Sequence, residues 1–161
     1  MAYKLGVASQ LKLVGVNPIL VATANYGIRF TPVDFTIVWG WRGEADQTLM
    51  VKTKVSKTPW PLSKHNVVDA NHQPASMAID FVPWHKGGIP WDDTHTFAVI
   101  AGVLFSSFAA LRYSNPNFAE GYVLRWGADW DRDGSTRDQT FMDWGHLELV
   151  KADAPGAPVT V

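Results

Sequence analysis

The chain has 161 residues, 47% apolar and 18% charged, a size and composition that suit one soluble domain with a real hydrophobic core. Its net charge is −1 and no basic block is present, which argues against nucleic acid as a main partner. Cysteine is absent, so a disulfide scaffold and a thiol nucleophile are excluded, and any metal must be held by His, Asp or Glu.

Residues 1–10 lack the basic start and apolar stretch of a signal peptide, so synthesis in the cytoplasm is expected. Residues 9–25 carry Leu11, Leu13, Val14, Ile19, Leu20 and Val21, which suits a helix or a helix pair, with Asn17-Pro18 starting the second. Phe35, Ile37 and Trp39 alternate with polar or small residues and predict a strand over 34–41. A short helix is expected over 44–55. Residues 57–74 hold three Pro, two Asn and two His and read as a long irregular loop. Alternation returns over 76–82 as a second strand, and Gly87-Gly88-Ile89-Pro90 is a turn.

Asp92 or Asp93 caps a helix that runs to about Tyr113. Its apolar run, 97–111, is shorter than the roughly 20 residues a bilayer needs, so a core helix without membrane insertion is expected. Residues 122–126 and 146–150 read as two further strands, joined by a polar loop over 127–140. The result is an α+β fold, a few helices packed on a small antiparallel sheet. One catalytic domain over 1–151 is expected, with a loose tail over 152–161 that holds two Pro and one Gly.

The informative polar residues stand at the edges of those strands. Asp80 closes one alternating stretch, His65 precedes it in a loop, and Asp143-x-x-His146 opens the last strand. Two imidazoles and a carboxylate form a catalytic zinc set when a fourth position stays open for water. A nearby carboxylate must then move protons. A His near a strand end is otherwise a satisfied polar side chain.

Ser63-Lys64-His65-Asn66, Ser76-Met77-Ala78-Ile79-Asp80 and Asp143-Trp144-Gly145-His146 together resemble a zinc peptidase family. It comprises D-alanyl-D-alanine dipeptidases and carboxypeptidases and the phage L-alanyl-D-glutamate endopeptidases. Gly40-Trp41-Arg42 with Gln47, and Trp126-Gly127-Ala128-Asp129-Trp130, extend the resemblance to about residues 9–149. It implies that His65, Asp80 and His146 bind zinc at the sheet edge. It also implies that Asp143 is the general base and acid, and that Arg42 stabilises the oxyanion. Without the resemblance, Arg42 reads as a surface cation pairing with Glu44 or Asp46.

The implied substrate is the stem peptide of bacterial peptidoglycan. A monomeric enzyme is expected, made in the host cytoplasm and released to the wall through a separate pore. The alternatives are a D-alanyl-D-alanine carboxypeptidase or dipeptidase, or a non-catalytic wall-binding or virion module.

The spacing departs from the family's His-x-x-Gly-x-Ala-x-Asp. His65 precedes Asp80 by fifteen residues, Ser76 replaces the glycine, and His72, eight residues before Asp80, is a rival ligand. His65 is preferred because Ser63-Lys64-His65-Asn66 keeps the flank of the motif, and a lengthened loop costs little.

Asp129-x-Asp131-x-Asp133-Gly134 with Asp138 is similar to the start of a calcium loop, although Thr140 stands at the twelfth position, where Glu is usual. Calcium as a regulator is one reading, and a solvated Asp-Gly turn is the other. Glu148 is expected on the same strand face as His146, as a partner for that ligand or a surface acid. His85 and His95 read as structural. Trp84, Trp91, Trp130 and Trp144 read as core or groove wall.

Overall fold

The computed structural model describes residues 2–153. Four strands form one antiparallel sheet in the order β1-β2-β4-β3: β1 (Phe35–Trp39), β2 (Ala78–Pro83), β3 (Tyr122–Trp126) and β4 (His146–Lys151). The α+β expectation therefore holds.

The helices are α1 (Val7–Lys12), α2 (Pro18–Gly27), α3 (Glu44–Lys52) and α4 (Thr94–Ser114). The residues 9–25 are thus a helix pair. Asn17 caps the second helix by accepting from the Ile19 N–H at 3.0 Å, and Pro18 follows with no donor to waste. Asp93, the second of the two candidate caps, starts α4 by accepting from the Thr96 N–H.

Helix α4 extends past the apolar run and is long and apolar enough to cross a membrane, by length and composition alone. Phe97, Ile100, Ala101, Leu104 and Phe108 recur at helical spacing, however, and all are buried in the protein core. Phe97 meets Phe81 of β2 with ring centroids 6.2 Å apart.

Strand register sorts the side chains onto two faces. Ile37 stands opposite Phe81, Ile79 opposite Leu147 and Leu124 opposite Leu149, so one face is wholly apolar and carries the core. Period-2 alternation then sends Asp80, His146, Glu148 and Arg125 to the other face, with Asp80 opposite His146 and Arg125 opposite Glu148. A register shift between Ile37 and Trp39 brings Trp39 opposite Asp80, at the rim of the polar face.

The loop over 57–74 is less irregular than its composition suggests. It contains a one-turn 3-10 helix, Lys64–Asn66, closed by a capping box in which the Ser63 side chain and the Asn66 side chain serve each other's backbone. The extra residues before Asp80 form a side excursion. Val68 bridges Pro74, and the Asp69 carboxylate accepts from the Asn71 and Gln73 N–H groups. At the C-terminal end, the Ala152 N–H still bonds the Gly121 carbonyl at 3.0 Å, while residues 154–161 of the expected loose tail lie outside the described residues.

Candidate metal centre and groove

Three donor atoms converge on the polar face. His65 Nε2 lies 3.2 Å from Asp80 Oδ1 and 3.3 Å from His146 Nδ1, and His146 Nδ1 lies 2.9 Å from Asp80 Oδ1. They come from the 3-10 helix, β2 and the start of β4. His65 and His146 are buried. His72 is exposed on the outer excursion, with a left-handed φ of 59°, and is not among the convergent groups.

Each imidazole is held by its far nitrogen. His65 Nδ1 is 2.6 Å from the Gly40 carbonyl oxygen, which can only accept, so that nitrogen carries the proton. His146 Nε2 is 2.9 Å from Glu148 Oε2, and Glu148 is clamped by the Nε and Nη2 groups of Arg125. With both outer nitrogens donating, neutral rings present two bare lone pairs and one carboxylate oxygen to a single point. Three acceptors at that separation repel unless a cation sits among them.

The donor set fits zinc. Tetrahedral bonds of about 2.0–2.2 Å place donors roughly 3.3–3.6 Å apart, close to the observed spacing. Ligating histidines characteristically give their other N–H to a carbonyl or carboxylate, as both do here. The group can hold a metal ion.

Electrostatics point the same way. Burial disfavours a charged His146, but the hydrogen bonds to Asp80 and Glu148 outweigh it and raise the imidazole to about 10, so without a metal this site holds a proton. Burial likewise opposes ionisation of Asp80, yet the neighbouring His65 and His146 hold its carboxyl well below the usual range. Glu148 is also lowered, with His146 and Arg125 overcoming its burial.

Arg42 is buried, and its Nη2 donates to Asp80 Oδ2. It pairs with Asp80, not with Glu44 or Asp46 as a surface cation would. Its backbone is tied to the ligand helix: the Arg42 N–H bonds the His65 carbonyl at 2.9 Å, and Asn66 Nδ2 donates to the Arg42 carbonyl at 3.0 Å.

Asp143 lines the same groove. Burial first, and then the negative charge of Asp80, push its carboxyl up from the ordinary value. Gly127 makes its position possible. The Gly127 N–H bonds the His146 carbonyl and its own carbonyl accepts from the Asp143 N–H, and a Cβ at Gly127 would stand 2.4 Å from the Asp143 carbonyl oxygen. No side chain larger than hydrogen fits there.

The groove has a volume of about 790 Å³ and is walled by Trp39, Trp91, Trp130, Phe141 and Trp144. Trp130 lies over His146 with ring centroids 5.6 Å apart. Trp84 is exposed and lies outside that wall. Sequence reasoning missed the Gly40 carbonyl and Arg125 as supports of the ligands. The Arg125–Glu148 pair depends on the β3–β4 register, which no local motif encodes.

A second acidic group is formed by Asp129, Asp131 and Asp133. Asp129 accepts from the Asp133 and Gly134 N–H groups, and Asp133 from the Ser135 N–H. Asp138 stands apart from the three and is linked to Asp131 through the Gln139 amide. Burial raises the Asp129 carboxyl above its ordinary value despite those backbone bonds.

Three comparisons with known proteins bear on this arrangement. The L-alanyl-D-glutamate peptidase of Escherichia phage T5 is 33% identical over 155 residues, covering 93% of this chain and all of that protein. The crystal structure of the Serratia marcescens L-Ala D-Glu endopeptidase ChiX shares the fold with a TM-score of 0.65, at 24% identity, over 92% of this chain and 91% of that one. The family described as phage L-alanyl-D-glutamate peptidase matches residues 1–150, and this chain belongs to it.

Proposed function

We propose that the protein is a zinc-dependent endopeptidase that hydrolyses the L-alanyl-D-glutamate bond in the stem peptides of bacterial peptidoglycan. The observation that carries this reading is the convergence of His65 Nε2, His146 Nδ1 and Asp80 Oδ1 at the floor of a groove that also holds Asp143.

His65, Asp80 and His146 would hold the zinc ion, and Gly40 and Glu148 orient the two rings. A bound zinc supplies Lewis acidity, which makes water a usable nucleophile near neutral pH. Asp143 takes the proton as water adds to the scissile carbonyl carbon, and returns it to the departing amine as the C–N bond breaks. A carboxyl raised by burial suits both halves of that task, because its basicity moves toward the working pH. Arg42 keeps a fixed positive charge beside Asp80 and stabilises the negative charge that grows on the carbonyl oxygen.

Metal content of the purified protein, with digestion of purified peptidoglycan before and after chelation, tests this reading. New N-terminal D-glutamate and new C-terminal L-alanine are expected. Release of D-alanine alone would replace the proposal with a carboxypeptidase, and no turnover with zinc saturated would leave a wall-binding module. Action on the bacterial cell wall is part of the same proposal.

We further infer that Asp129, Asp131 and Asp133 take up calcium as a regulator, with Asp138 joining only if the Gln139 bridge opens. The grouping of three carboxylates on alternate residues before Gly134 supports this. Calcium titration followed by wall-lysis activity at fixed zinc tests it, and an unchanged rate across the titration removes the regulatory role.

A further inference from the structure

We propose that Lys57 is the cation that reads the free carboxylate of the substrate's D-glutamyl residue. This rests on the peptidase reading above and names a specificity determinant within its groove.

A glutamate residue whose amine is acylated by alanine retains two carboxyl groups. The peptide continues through one, and the other remains an anion on the residue that carries the leaving amine. A groove that contains Asp80, Asp143 and Glu148 repels that anion unless a cation offsets it. Two of the groove's cations are already committed, Arg42 to Asp80 and Arg125 to Glu148. Lys57 and Lys64 also line the groove, and among the described residues neither has a carboxylate within ion-pair distance.

Lys57 is the one that is held. Its Nζ sits 4.1 Å from the centroid of the Phe141 ring. Phe141 stacks on Trp130 at 6.1 Å, and Trp130 in turn lies over the ligand His146. Both chain neighbours of Lys57 are held by one buried amide: Gln47 Nε2 donates to the side-chain Oγ of Ser56 at 3.0 Å and to the backbone carbonyl of Thr58 at 2.6 Å. Gln47 has no exposed surface. The other end of that amide, Gln47 Oε1, accepts from Asn66 Nδ2 at 3.4 Å, so one buried and hydrogen-bonded side chain ties the Lys57 segment to the helix that carries His65.

Lys57, Phe141 and Asp143 line the same groove. Phe141, the seat of the ammonium, is two residues from Asp143, the proton donor to the leaving amine. The residue that owns that amine owns the free carboxylate.

The experiment uses two synthetic peptides that contain the L-alanyl-D-glutamate bond, one with the D-glutamyl carboxylate free and one with it amidated. Wild-type enzyme is expected to favour the free acid by about tenfold in kcat/KM, since an exposed ammonium is partly screened by water. In Lys57→Met the preference should collapse to about one, mainly through KM, with the amidated peptide cleaved as before and the melting temperature retained. Lys57→Arg should keep the preference, and Lys64→Met should not alter it. An unchanged preference in Lys57→Met, or its collapse in Lys64→Met, overturns the assignment alone. Failure of the wild type to cleave either peptide overturns the peptidase reading and the assignment with it.

Discussion

Two groups of side chains that could hold a metal ion lie among the described residues, and they are built differently. The histidine centre is buried: the His65 ring is oriented by the Gly40 carbonyl after β1, and the His146 ring by Glu148 of its own strand, which Arg125 of β3 clamps in turn. The acidic loop is largely exposed, and its carboxylates accept from N–H groups of its own turn. Preorganisation of the first kind is maintained by contacts between elements of the fold. The second kind depends on a local turn that water can compete for. The contrast teaches that proximity of ligand types is common, whereas support of their far sides from separate elements marks a centre built to hold one geometry.

The largest effects should come from cutting into the buried centre. His65→Ala should abolish stoichiometric zinc, while His72→Ala should leave it intact; metal analysis of the two purified variants decides, and the reverse pattern would make His72 the ligand. Asp143→Ala should retain zinc and lose about 10²–10⁴-fold in kcat, and a fully active variant would remove its role in proton transfer. Next in size, Glu148→Gln should weaken zinc binding by about 10–100-fold in competition with a chelator, because His146 loses the charge that orients it.

A pH test sharpens the same contrast. His146 is raised to about 10 in the metal-free protein by Asp80 and Glu148, against its burial. Zinc requires the neutral ring, so binding at pH 7–8 should release a proton from this site. Calorimetry in buffers of different ionisation enthalpy measures it, and no buffer dependence would contradict the charged state. The linked stability has the sign of a raised histidine. Without metal, its contribution is full below the unfolded value of about 6.5 and is lost as pH rises through about 10, so the urea midpoint of the metal-free protein should fall between those limits. The smallest effect belongs to the acidic loop: Asp131→Asn should change zinc affinity by less than about twofold, and a larger change would tie the two clusters together.

Much of the framework was legible because it is local. The alternation of Phe35, Ile37 and Trp39, the Asn17-Pro18 start and the Asp93 cap each act within a few residues, and each element appeared where those signals lie. His65 and Asp80 could be singled out by motif flanks, which also favoured His65 over His72, and the structure adds that His72 lies away from the convergent groups. An excursion of extra residues separates sequence spacing from spatial spacing. Arg125 and Lys57 stayed hidden for a related reason. One is defined by the residue across a strand pair and the other by a buried glutamine from α3, and neither relation leaves a periodic trace.

That excursion has a practical consequence. It departs and rejoins through the Val67–Ala75 backbone bond and the Val68–Pro74 bridge, with its tip at Asn71 and His72 exposed. A foreign peptide spliced at that tip would hang from a closed neck and transmit little strain to the fold. The chain thus offers an internal attachment point for a targeting sequence, outside the residues that line the groove.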